Sequence, residues 1–314
     1  MAKNITGIAF DIVCKAAPER SGDLKKFRQD YPVPFVEVCG RVGITLNANR
    51  SRIEYSRKDL QVIWLLSFSL WRSVELFSPA ILLSSATESS AQDILTLDQE
   101  LDEIERDYRE RIGAIIQIIN SEKDASEFWP PDIPKPFESR DDAETDQDKA
   151  VFDLVMMATA VAFLHELRHV KFHVDHHDGI TRPGNRAEEE LLCDVHAREW
   201  FLAKAGDYAT DACHDYQAIC SKRGIALIII CEFLRIATDH AGEYGSADYP
   251  PIDLRIAALS DEIKLPDFDK FWVVSGSILL GEVRRRGIRS IEIPKGTPKS
   301  VSKYLSKILL PDAL

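Results

Sequence analysis

Between Val151 and Leu164 the chain is apolar at every position except Asp153 and Thr159, which predicts a helix buried on most of its sides. Elsewhere the pattern is amphipathic. Leu97, Leu101, Ile104, Tyr108, Ile112 and Ile115 recur at intervals of three and four, and predict a helix over 92–119 with one apolar stripe; another is expected over 58–77. Nearer the start, Ile5–Val13, Phe35–Val42 and Ile44–Tyr55 carry β-branched and aromatic residues between turn signals such as Asn47 and Asn49. They predict a short antiparallel sheet. Further helices are expected at Ala187–Ala203, Tyr208–Arg223 and Ile225–His240, then a loop over Ala241–Tyr249 and a helix with Pro250 and Pro251 near its first turn. No internal repeat is evident. The order predicts an α+β fold, predominantly α-helical, with a small N-terminal β region.

Composition narrows this picture in a few places. With 314 residues, 45% of them hydrophobic and 29% charged, the chain is long enough to bury a full core, as one large domain or two small ones. Ser121–Asp148 holds four prolines and ten acids against three bases, a net −7 out of −12 for the chain, and reads as a linker or mobile loop. Because it leads into the apolar helix, it is also a candidate cover for whatever that helix presents. The last segment is basic, with Arg284, Arg285, Arg286, Arg289, Lys295, Lys299, Lys303 and Lys307 against Glu292. With an overall pI near 5.2 and no nucleic-acid reading motif, it reads as a solvated face or a partner for the acidic segment, and no nucleic acid is expected. Six cysteines without CxxC pairing read as reduced thiols of a cytoplasmic protein. No signal peptide is legible in the first twenty residues, and the longest uncharged apolar-rich run, Leu60–Trp71, is 12 residues. A bilayer-spanning helix needs about 20, so no transmembrane segment is expected.

The buried helix ends in chemistry. His165 and His169 fall one turn apart on one face, with Glu166 beside them. Residues at this spacing lie about 5–6 Å apart, so two imidazoles can share one tetrahedral ion, and the pattern HExxH is that of a zinc peptidase. Leaving Glu166 desolvated without such a partner would be costly. The extended pattern with a third histidine would need Gly and His where Phe172 and Asp175 stand. His173, His176 and His177 therefore read as solvated or supporting groups. The next helix carries Glu188, Glu189, Glu190, Cys193 and Asp194, entered through the turn residues Pro183, Gly184 and Asn185. Glu190 and Asp194 share a face. Neither Glu188 nor Glu189 has an Asp four residues on, and both read as acids of a first helical turn, where the macrodipole favours negative charge. Cys193 reads as a small buried hydrophobe.

The combination of HELRH, EEELLCDVHA and YPPIDLRIAAL resembles the Lit-type phage-exclusion peptidases, and more distantly the heat-shock and CAAX-prenyl zinc peptidases. Glu190, Asp194 and Ala197 match the second element of the distant pattern, and Pro250, Pro251 and Arg255 the third, with Tyr249 standing where His is usual. The similarity covers about residues 150–264. It implies a zincin-like catalytic core over 149–264, preceded by the N-terminal region 1–120 and the segment 121–148, with the basic segment 265–314 packed on the core. It further implies Zn2+ held by His165, His169 and Glu190, with Asp194 bonding a ligating imidazole and Arg255 supporting them. Glu166 would be the general base, and the Tyr249 hydroxyl would stand in for the relatives' imidazole at the transition state. The implied activity is cleavage of a cytosolic host protein, elongation factor Tu, under control of a phage-derived activator. A zinc-holding sensor module and a small-peptide peptidase are the competing readings.

Overall fold

The structure is a computed structural model that describes residues 5–39, 43–48, 51–86, 101–177, 183–238, 242–260, 262–288 and 293–310. It is mostly helical, with one small sheet near the N-terminus. The first element corrects the expected strand at Ile5–Val13: α1 spans Ile5–Ala16. Its buried residues Ile12, Val13 and Ala16 recur at helical spacing, and the helix packs against the apolar helix of the chain. Packing there overrides the β-branched composition. After α2 (Ser21–Asp30) come β1 (Phe35–Glu37), β2 (Thr45–Asn47) and β3 (Arg52–Tyr55), in the order β1-β3-β2. The expected antiparallel sheet is mixed. β2 and β3 form a hairpin, and β1 joins the far edge of β3 in parallel register.

Two long helices form the centre. α3 spans Arg57–Ala86 and runs past the expected end at 77, and α5 spans Asp146–His177; between them α4 covers Leu101–Asn120. The first part of the helix expected over 92–119 lies outside the described residues. α3 and α5 are each long and apolar enough, by length and composition, to cross a membrane, and 72% and 67% of those windows are buried inside the fold. The apolar run counted along the sequence understated both. Their apolar faces form the main core, with Val62, Leu65, Leu66, Val155, Ala158, Val161 and Phe163 among its fully covered residues. A satellite core lies where α10 (Lys270–Arg285) and α11 (Pro298–Ile308) meet the later part of α3, around Phe77, Ile81, Leu280 and Val301.

The acidic segment is not a free linker. The Trp64 indole donates to Pro134 O at 2.8 Å and meets the Phe137 ring edge-on, while Ile133, Ala125 and Ala143 are buried. These few apolar residues dock the segment on α3 despite its charge, and none of its residues lines the cleft described below. The basic segment also departs from expectation. Arg284 pairs with Glu105, Arg285 and Arg286 with the fully buried Glu282, and Arg286 also with Glu243 at 3.1 Å. Three of its cations are thus tied to carboxylates of α4, α10 and the 242–244 turn, and not to residues 121–148. Arg289 lies outside the described residues.

On the other side of α5 sit α6 (Arg186–Leu202), α7 (Ala205–Asp211), α8 (Tyr216–Ala237) and α9 (Ile252–Ser260). The helices expected at Tyr208–Arg223 and Ile225–His240 are redivided: the break falls before Tyr216, where Asp215 caps α8 by accepting Ala218 N at 2.7 Å. Gly224 lies inside α8. A Cβ there would come within 2.9 Å of the Phe271 ring, so this glycine permits a close helix contact and ends nothing.

Candidate metal centre

α5 meets α6 side by side, and α6 opens on a cap: Asn185 accepts Glu188 N at 2.8 Å, and Glu188 in turn accepts Gly184 N at 2.7 Å. This sets the rotation of α6 so that Glu190 and Asp194 face α5. His165 and His169 present their Nε2 atoms to each other at 3.1 Å. The Glu190 carboxylate spans both, with Oε2 at 3.3 Å from His165 Nε2 and Oε1 at 3.4 Å from His169 Nε2. All three side chains are about nine-tenths covered.

The outer nitrogens are held as well. His165 Nδ1 lies 2.8 Å from Asp194 Oδ1, an ion-pair contact in which the ring N–H does not point straight at the oxygen. His169 Nδ1 lies 2.8 Å from Glu189 Oε1. Asp194 is itself fixed by Arg255, whose Nε and Nη2 donate to Oδ2 and Oδ1 at 2.8 and 3.0 Å, and whose Nη2 lies 3.6 Å from Glu190. α9 positions that arginine, its first turn starting from the Pro251 carbonyl. Glu166 turns toward β2: its Oε2 accepts the Leu46 N–H at 2.6 Å, leaving Oε1 4.0 Å from His165 Nε2.

The electrostatics match this crowding of acids. Burial works against charge on His165 and His169, but Asp194, Glu189, Glu190 and Glu166 outweigh it and raise both rings to about 10. Burial also opposes ionisation of Glu190 and Asp194, yet the imidazoles and Arg255 hold both below the usual carboxylate range. Glu166 is raised, chiefly by burial, which suits a group that must take up a proton.

Do these residues fit a metal ion? The outer nitrogen of each ring lies beside a carboxylate, so with both rings neutral and protonated there, the two Nε2 atoms 3.1 Å apart and the Glu190 carboxylate next to them form a donor set for one cation. Ligand atoms about 2.0–2.1 Å from a tetrahedral zinc lie about 3.3–3.4 Å from one another. The observed 3.1, 3.3 and 3.4 Å are close to that figure. Cys193 adds a second grouping: its Sγ and the His165 and His169 ring nitrogens all lie within 4.8 Å of one another. The thiol is fully buried and its pKa is raised by that burial, so without a metal it stays neutral.

The centre lies in a cleft of about 670 Å³, lined also by Gly43, Ile44, Thr45 and Leu46 of the N-terminal sheet region, and by His173, Arg186 and Tyr249. Tyr249 is half exposed, and its hydroxyl accepts a hydrogen bond from Arg186 Nη2 at 3.0 Å. The structure thus brings His165, Glu166, His169, Glu190, Asp194, Arg255 and Tyr249 to one cleft. The side chains of His176 and His177 lie outside the described residues. Sequence reasoning missed Glu189, Leu46 and Arg186. For Glu189 the only signal was a count: two imidazoles sharing an ion would need two outer acceptors and Asp194 serves one, which does not say which residue is the second.

No curated protein and no solved structure matches the chain. The sequence model of the family described as Peptidase U49 matches residues 53–275, a span that contains α3, α5, the HELRH motif, Glu190 and Arg255. The chain therefore belongs to the Peptidase U49 family, the Lit-like phage-exclusion peptidases.

Proposed function

We propose that this protein is a zinc-dependent endopeptidase that cleaves a cytosolic host protein in phage defence under control of a phage-derived activator. The observation that carries the reading is the convergence of His165, His169 and Glu190 at separations a tetrahedral ion requires, with Glu166 adjacent. When bound, zinc supplies a Lewis acid for the scissile carbonyl and acidifies water beside it. The protein's own groups supply the rest. His165, His169 and Glu190 hold the ion, while Asp194 and Glu189 fix the tautomer and tilt of the rings. Glu166 takes the proton from the attacking water and delivers it to the leaving amine.

The cleft suits an extended chain. β2 is an edge strand that walls the cleft; its Leu46 N–H is taken by Glu166, and the outward Leu46 carbonyl is the group with which an extended peptide can pair. That supports an endopeptidase over an enzyme for small peptides. Elongation factor Tu is the substrate that family resemblance suggests, and cytoplasmic action follows from it. The test is N-terminal labelling of cleavage products in cells expressing the parent or Glu166→Gln, with and without phage infection. New termini confined to the parent support the reading and name the target, and identical sets of termini would refute it.

Cys193 gives a second reading of the third ligand. Metal content separates the two: Glu190→Gln is expected to lose zinc and Cys193→Ser to keep it, and the reverse result would assign the thiolate.

A further inference from the structure

We infer that β2 belongs to the catalytic apparatus: the backbone N–H of Leu46 orients the Glu166 carboxylate, and Asp59 is the positioning residue that holds the strand in place. This rests on the peptidase reading above. Leu46 N donates to Glu166 Oε2 at 2.6 Å, a charge-assisted contact between parts of the chain 120 residues apart.

The strand register explains why this N–H is free for the task. Ile53, opposite Leu46, sends its own N–H to Pro34 O at 2.9 Å, on the β1 side. Leu46–Ile53 is therefore the non-hydrogen-bonded pair of the hairpin, and the Leu46 N–H points away from the sheet. With Oε2 fixed, Oε1 is the oxygen left facing the imidazoles, 4.0 Å from His165 Nε2.

Asp59 anchors the strand from behind. Fully buried at the start of α3, it accepts Gly43 N at 2.5 Å and Ser56 N at 2.6 Å, tying the entry of β2 to the exit of β3. Gly43 has φ +141°, a conformation that side chains rarely adopt, so a glycine suits the position whose N–H Asp59 holds. Gly43 and Leu46 lie before the family-matched residues 53–275.

Leucine-selective ¹⁵N labelling tests the contact without reference to activity, the Leu46 amide being identified by its loss in Leu46→Ala. It is expected far downfield and protected from exchange although it sits on a sheet edge, to move upfield in Glu166→Gln, and to lose protection in Asp59→Ala. The functional arm compares Leu46→Pro with Leu46→Ala in infected cells. Both remove the side chain, but only proline removes the N–H, at an outward edge position where proline is tolerated. At equal zinc content and protein level, Leu46→Pro should generate new N-termini about 10–100-fold more slowly, as misplacement of a catalytic group does. An ester at position 46, from the α-hydroxy analogue of leucine, removes the N–H alone and decides the matter if the proline variant fails to fold. A rapidly exchanging Leu46 amide indifferent to Glu166→Gln, or equal rates with and without the N–H, would overturn the inference while leaving the peptidase reading intact. Equal cleavage by parent and Glu166→Gln would remove both.

Discussion

Glu166 has one oxygen held by a backbone N–H and the other turned toward His165, so replacing it by Gln changes the proton chemistry and little of the shape. Glu166→Gln should retain zinc and fold and lose about 10²–10⁴ in turnover, measured as cleavage rate at matched metal content. Asp194 and Glu189 each face the outer nitrogen of one imidazole. Asp194→Asn is expected to weaken zinc binding by about 10–100-fold, and Glu189→Gln should follow in the same direction; competition with a chromophoric chelator reads both. Unchanged affinity in either variant would remove that residue from the site. His165, Glu166 and His169 were legible because the i, i+4 spacing is a property of one helix. Glu190 and Asp194 were legible for the same reason. Glu189 was not, because whether an acid in a first helical turn faces water or a neighbouring helix depends on how α6 is rotated against α5.

At the level of elements, the rotation of α6 depends on its cap. Asn185→Ala should cost about 1 kcal/mol, visible as a lower denaturation midpoint, and should also lower zinc affinity because Glu189, Glu190 and Asp194 ride on the same helix. Gly224→Ala tests a different junction. The alanine gains about 1 kcal/mol in helix propensity, but its methyl would enter the Phe271 ring at 2.9 Å, and overpacking of about 1–3 kcal/mol should leave a net loss. A stabilised variant would mean that the α8–α10 contact gives way easily. The same junction explains the misplaced helix boundary at Gly224, since a glycine marks a stop or a close approach and only the neighbour distinguishes them. α1 was misread for a related reason: β-branched residues fit a strand or a packed helix, and its neighbour α5 made it a helix.

For the whole molecule, the candidate metal centre draws on α5, α6 and α9, so a bound metal and the fold should be linked. Chelation is expected to lower the melting temperature and zinc to restore it, since a ligand bound only by the folded state stabilises it. Without metal, His165 and His169 are raised from 6.5 to about 10. Their protonation contributes stability that is fully present below pH 6.5 and is lost as pH rises through about 10. Zinc must displace those protons, so its affinity should climb over the same window. Melts of chelated protein and zinc titrations between pH 6 and 10 check both signs; a flat profile would place the imidazoles away from the carboxylates. The apolarity of α3 and α5, the HExxH spacing and the face shared by Glu190 and Asp194 are periodic properties, and the sequence by itself determined them. The tertiary structure alone decided that a charged segment docks through Trp64 and Ile133, that Arg284 and Arg286 near the end of α10 pair with Glu105 and Glu243, and that an N-terminal strand offers its N–H to Glu166. Each of these is a contact between residues distant in the chain, set by the faces that helices and strands turn to one another on packing, which no local pattern encodes.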